Sequence, residues 1–184
     1  MHRLFRATAF GIVGLSALAC GPRPEEAYVR GQGLAVAELP VRDQVAIYQE
    51  AVGGAFTVGD PSLYLLLNPR FLPRTAGLAG GEPLGPALRN GLLDSRIVQG
   101  TCEPAVAKGS FTVAHCRAPL AGYVVRFSQI LRLPADTMEV YLVVQRYSTP
   151  TSVGISRLQF ERVYKVVKHA SGWDAVAEGR IETP

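Results

Sequence analysis

Cys102 and Cys116 are the residues whose spacing could do most chemistry, because each sits beside a second potential metal ligand. Glu103 follows the first cysteine and His115 precedes the second, so four groups that can bind zinc lie on one stretch. Thiolate zinc sites need reduced thiols and usually carry a short C-x₂₋₄-C pair, which this stretch lacks. The same two cysteines can instead form a disulfide. It would close a loop of about 15 residues, worth about 3 kcal/mol on the chain-entropy estimate. Free thiols are the third state, and the redox compartment decides among the three.

Other reactive constellations are sparse. Neither His115 nor His169 has an Asp or Glu at a spacing that builds a catalytic pair, and a surface or turn position suits both. No Gly-x-Ser-x-Gly elbow occurs for a serine nucleophile. The glycines from Gly77 to Gly85 lack the preceding strand and the following Gly-Lys-Ser/Thr of a phosphate loop. Arg126, Arg146, Glu161 and Arg162 fall on expected strands. The plain expectation is a solvated face with cross-strand ion pairs of a few tenths to about 1 kcal/mol each. A curved sheet could instead turn some of them toward a ligand. Tyr141, Tyr147, Tyr164 and Trp173 are expected to pack, as aromatics on strands usually do. No catalytic residue, cofactor site or metal site emerges from these residues.

The first twenty residues set the compartment. Arg3 and Arg6 form a basic head, and an uncharged apolar run extends from Ala7 to Ala19. At thirteen residues it is too short to span the roughly 30 Å of a bilayer core, which takes about 20. It has the length of the apolar region of a secretory signal. The closing run Ser16-Ala17-Leu18-Ala19-Cys20-Gly21 resembles the lipobox of bacterial lipoproteins. The resemblance implies cleavage before Cys20, several acyl chains on that residue, and attachment of the protein to the cell envelope. Plain secretion through the small-x-small site Ala17-Leu18-Ala19 and an uncleaved anchor are the alternatives. Gly21 stands where an aspartate would signal inner-membrane retention in some Gram-negative bacteria, so the outer membrane facing the periplasm is expected. An oxidising compartment in turn favours a disulfide between Cys102 and Cys116.

Three regions follow: a signal peptide at 1–19, a lipidated tether at 20–27, and one domain at 28–184. The tether is rich in Pro and charge and should be extended, holding the domain within roughly 20–30 Å of the membrane. Removing Arg3 and Arg6 from 19 basic residues leaves 17 against 15 acidic ones, a net charge of +2. That balance gives no electrostatic case for nucleic acid. The 48% hydrophobic content suits a packed core.

The elements expected to position these residues form an α+β domain. Pro40 opens a helix over about Leu39–Val52, with Val41, Val45, Tyr48 and Val52 on one face and Gly53-Gly54 as its stop. Leu63–Leu67 is a short apolar strand, residues 72–86 a surface loop, and Pro86 the start of a weak helix carrying Leu88, Leu92 and Leu93. Four strands follow. Tyr123, Val125 and Phe127 alternate with Val124, Arg126 and Ser128; Val140, Leu142 and Val144 alternate with Tyr141, Val143 and Gln145. Ser156–Lys168 and Trp173–Ile181 complete a four-stranded antiparallel meander, covered on its inward face by the two N-terminal helices.

Helix, strand, helix and meander over residues 40–182 resemble the element order of the nuclear transport factor 2-like superfamily. That resemblance implies a curved sheet around a conical cavity, in a family holding both enzymes and binding domains. Two expectations follow. The first is a lipid-anchored, non-catalytic domain that binds an envelope protein or a small apolar ligand. The alternative is a cavity-type enzyme of that superfamily.

Overall fold

The computed structural model describes residues 28–56, 63–75, 81–102, 122–147 and 159–181. The leader, the tether with Cys20, and Glu103, His115 and Cys116 lie outside the described residues. Strands β1 (Ala35–Val36), β2 (Leu63–Leu66), β3 (Gly100–Cys102), β4 (Gly122–Phe127), β5 (Leu131–Arg132), β6 (Thr137–Tyr147), β7 (Gln159–His169) and β8 (Gly172–Ile181) build one sheet. Helices α1 (Val41–Ala55) and α2 (Pro86–Asp94) complete an α+β fold.

β6 is the spine. β4 pairs antiparallel along one edge from Gly122↔Tyr147 to Phe127↔Leu142, and β5 continues that edge at Leu131↔Glu139. β7 takes the other edge, and β8 pairs with β7 through a bulge at Val163/Tyr164. Among the described residues the sheet departs from the expected four-stranded meander in having eight strands and two parallel pairings, β2 on β4 and β3 on β2. β2 is a run of apolar residues, Leu-Tyr-Leu-Leu, whose first three are buried. A strand with both faces covered does not alternate, so its place beside β4 was not readable from periodicity. β1 and β5 have two residues each and β3 three, too few for any periodic signal.

Both helices cover one face. Ile47, Tyr48, Ala51 and Leu92 reach zero exposure against Leu142, Val144 and Tyr164 of the sheet. Burying each large side chain there contributes roughly 1.5–3 kcal/mol. α1 starts after Pro40 and runs through the expected stop at Gly53-Gly54 to Ala55. Gly54 stays helical because the Tyr164 ring packs against it: a Cβ there would lie 2.9 Å from a ring carbon. Val41, expected in the core stripe, is 38% exposed at the first turn. In α2, Gly91 is likewise a close approach, since a Cβ would meet Val45 Cγ2 at 2.7 Å.

The opposite face is also covered, by residues 28–36 and 70–75. Leu72, Leu131, Tyr141 and Val143 pack there with Tyr28, Leu34 and Val163. Backbone hydrogen bonds fix the cover: Arg30 N to Arg74 O at 2.8 Å, Ala37 N to Ile130 O at 2.8 Å, and Leu72 N to Phe127 O at 2.7 Å. The stretch expected as a surface loop over 72–86 is therefore tied down at both ends. Leu72 and Leu84 are buried, and Leu84 N bonds Pro69 O at 2.9 Å.

Candidate functional site

Three residues align across the covered face in register: Arg126 of β4, Val143 of β6 and Glu161 of β7. Neighbouring strands lie about 4.8 Å apart, so Arg126 and Glu161 are about 10 Å apart at the backbone. The alternation of β7 turns Glu161 away from the helices, and the segment at 28–36 then lays Arg30 over it. Arg30 Nε donates to Glu161 Oε1 at 2.6 Å and Arg30 Nη2 to Oε2 at 2.8 Å. The third guanidinium nitrogen, Nη1, donates to Pro73 O at 2.6 Å. Glu161 has no solvent exposure and Arg30 only 5%. The solvated face expected for Glu161 is thus a buried, bidentate ion pair. The reason is that the strand's outward face is roofed by a part of the chain far away in sequence.

The roof has further clasps. Arg74 donates through Nη1 to Arg30 O and Gly31 O, and through Nη2 to Leu34 O. Gly31 N donates to Tyr141 Oη at 2.9 Å. Below, Ser128 Oγ accepts from Tyr141 N at 2.9 Å, and Tyr48 Oη donates to Ser128 O at 2.8 Å. Ser128 thereby links the roofed face to α1 on the other side of the sheet.

Electrostatics follow from burial. Desolvation works to lower Arg30, but the Glu161 carboxylate overrides it and holds the guanidinium above its ordinary range. Burial, and then the neighbouring Glu161, push the Tyr28 phenol up, while its Oη has no hydrogen bond in good geometry. Burial lowers Arg126, and the positive charge of Arg30 lowers it further. Burial raises Tyr48, Tyr141 and Tyr164 as well, so these phenols stay protonated at neutral pH and cannot serve there as bases. The cluster can hold charge and fix the roof. It sets no nucleophile against a base.

Arg126 also borders a small pocket where β2 ends beside β4. Its walls are Leu65, Leu66, Pro69, Leu84, Val125 and Phe127, and Arg70 lines it too. Its interior of about 10 Å³ has room for about one water.

The other residues singled out in the sequence disperse. Cys102 is buried against Tyr64 and Val124 and is disulfide-bonded, while Cys116, its expected partner, lies outside the described residues. His169 is exposed at the end of β7. Arg162 sits over the Phe160 ring at 5.1 Å. Trp173 is half-buried on the core with Lys168 Nζ 5.4 Å from its ring. Tyr164 is core and Tyr141 part of the roofed face. Arg146 lies opposite Tyr123 on β6, and Tyr147 opposite Gly122. Among the described residues no three His, Cys, Asp or Glu side chains converge as metal ligands, and no helix is long and apolar enough to cross a membrane.

Sequence reasoning flagged Arg126 and Glu161 but not Arg30, Tyr28 or Arg74. A signal was present: Val124, Val143 and Val163 make that face apolar, and an acid on an apolar face needs a buried partner. No family model, curated protein or solved structure matches this chain.

Proposed function

We propose that the chain is an exported lipoprotein, anchored by acyl chains on Cys20 after removal of residues 1–19, with a non-catalytic binding or structural domain in the cell envelope. The observation that carries the anchor is the leader itself: a basic head, a largely apolar run of thirteen uncharged residues, and small residues running into Cys20. The roof at residues 28–36 fits it, because Tyr28, eight positions after Cys20, already packs on the sheet and a short tether suffices. A domain held so near its lipid would face the outer-membrane surface from the periplasm. A disulfide at Cys102 fits an oxidising compartment, with Cys116 as its partner.

The non-catalytic part of the reading rests on the roofed cluster, in which Arg30, Glu161 and Arg74 are engaged in holding the fold. An envelope protein partner is favoured over a small apolar ligand, because side chains fill the space between helices and sheet. The same filling weighs against a cavity-type enzyme. The test is Cys20→Ser with detergent phase partitioning and acyl labelling. The wild type should enter the detergent phase and carry label, and the variant should do neither. A variant that still partitions removes the lipid reading.

A further inference from the structure

We propose that residues 28–36 are an exchangeable strap, and that the groove they fill on the sheet accepts the same segment from a second copy of this chain. The groove is apolar with one acid at its centre. Leu131, Tyr141 and Val143 line it beside Leu72, and Glu161, opposite Val143 on the next strand, is fully buried there.

The strap is separable from the body it covers. The residues beneath it form a cluster distinct from the one under α1 and α2, so lifting the strap leaves the main core packed. It also brings little apolar area, since Tyr28 and Leu34 are half-buried while Val29 and Val36 are exposed. Its backbone meets the body at the two β1–β5 pairs, the bridge Val29↔Thr75 and the bond from Arg30 N to Arg74 O. Segments held so lightly open before the core does. Residues 38–40, between β1 and α1, supply the hinge, with Glu38 and Pro40 exposed.

Arg30 and Gly31 make the groove selective. Lifting the strap takes both Arg30 donors from Glu161 and leaves a carboxylate on an apolar face, which is costly until a guanidinium returns. Arg126, the other cation acting with it, lies two strands away across Val143. The position after the arginine has to be glycine: Gly31 has a φ of 53°, and a Cβ there would lie 2.1 Å from Leu131 Cδ1. A second copy carries that Arg-Gly pair with Tyr28 and Leu34 in the same places. Exchange between two copies therefore remakes every bond it breaks, which is the low-cost route of a swapped dimer. The exchange belongs to the domain and does not depend on acylation at Cys20.

The experiment mixes two full-length variants, Arg30→Ala, which keeps the acid, and Glu161→Gln, which keeps the strap. Sedimentation should show each alone as a monomer and the mixture as a one-to-one dimer, with Arg30 of one copy on Glu161 of the other. Two folded variants that stay monomeric when mixed would overturn the proposal. Near-ultraviolet circular dichroism checks that both are folded. If either is not, the wild-type chain decides, titrated with a labelled peptide of residues 28–37. That peptide should bind saturably, and Arg30→Ala or Gly31→Ala within it should weaken binding about tenfold or more. Absent binding, or equal binding by a scrambled peptide, would overturn the second copy as the occupant.

Discussion

Arg30 and Glu161 are 131 positions apart in sequence, and two hydrogen bonds of 2.6 and 2.8 Å join them out of reach of water. Burying two charges is expensive, and only bidentate geometry with the remaining donor satisfied makes the arrangement tolerable. Arg30 meets that condition through Pro73 O. The pair therefore fixes where residues 28–36 sit more than it adds to net stability.

Removing one partner should expose that asymmetry. Glu161→Gln is expected to cost about 3–5 kcal/mol in urea unfolding, because Arg30 is left buried without its counter-charge. The double change Arg30→Met with Glu161→Leu should cost less than either single change. Additive losses would show that the two side chains are not coupled.

Contact between the helices can be tested at Gly91. Gly91→Ala gains helix propensity but drives a methyl to 2.7 Å from Val45 Cγ2. The clash should win, with a loss of about 1–3 kcal/mol by chemical denaturation. Adding Val45→Ala should restore part of it. A stabilised Gly91→Ala would mean the helices separate easily.

The turn between β5 and β6 places Ala135 and Asp136 at φ of 57° and 54°, a left-handed conformation that costs an L-residue roughly 1–2 kcal/mol. Ala135→Gly should raise stability by about 0.5–1 kcal/mol, the relief of strain exceeding the extra freedom of the unfolded chain. Thermal melting at matched concentration reads this directly. A fall in melting temperature would count against the turn.

Alkaline pH should unfold the domain cooperatively. Tyr28, Tyr48, Tyr141 and Tyr164 are all raised above their ordinary 10.0, burial being the first cause for each. Above about pH 10 the unfolded chain releases these protons while the folded one keeps them, so stability is full below that pH and falls as pH climbs. Phenolate absorbance and circular dichroism should change together. Gradual phenolate formation before unfolding would contradict their burial.

Much of the meander's alternation was legible. Val140, Leu142 and Val144 face the helices while Tyr141 and Val143 face the roof, as a period of two requires. α2 was legible from Pro86 despite Gly91. The end of α1 was not, because the partner that makes Gly54 suitable, Tyr164, is 110 positions away. Nor was the roof, whose residues 28–36 carry no period and owe their place to Arg30, Arg74 and Gly31 meeting distant acceptors. In the candidate site, Glu161 and Arg126 stood out as charges on strands, yet their surroundings depended on a segment that local patterning does not place.

β1 meets β5 through only two residue pairs, so its grip on the sheet rests heavily on side-chain clasps. A pull at the N-terminal side would reach these clasps before it reached α1 or β6. The segment should peel away under modest tension and leave the hydrophobic centre intact, acting as a mechanical fuse for the body behind it.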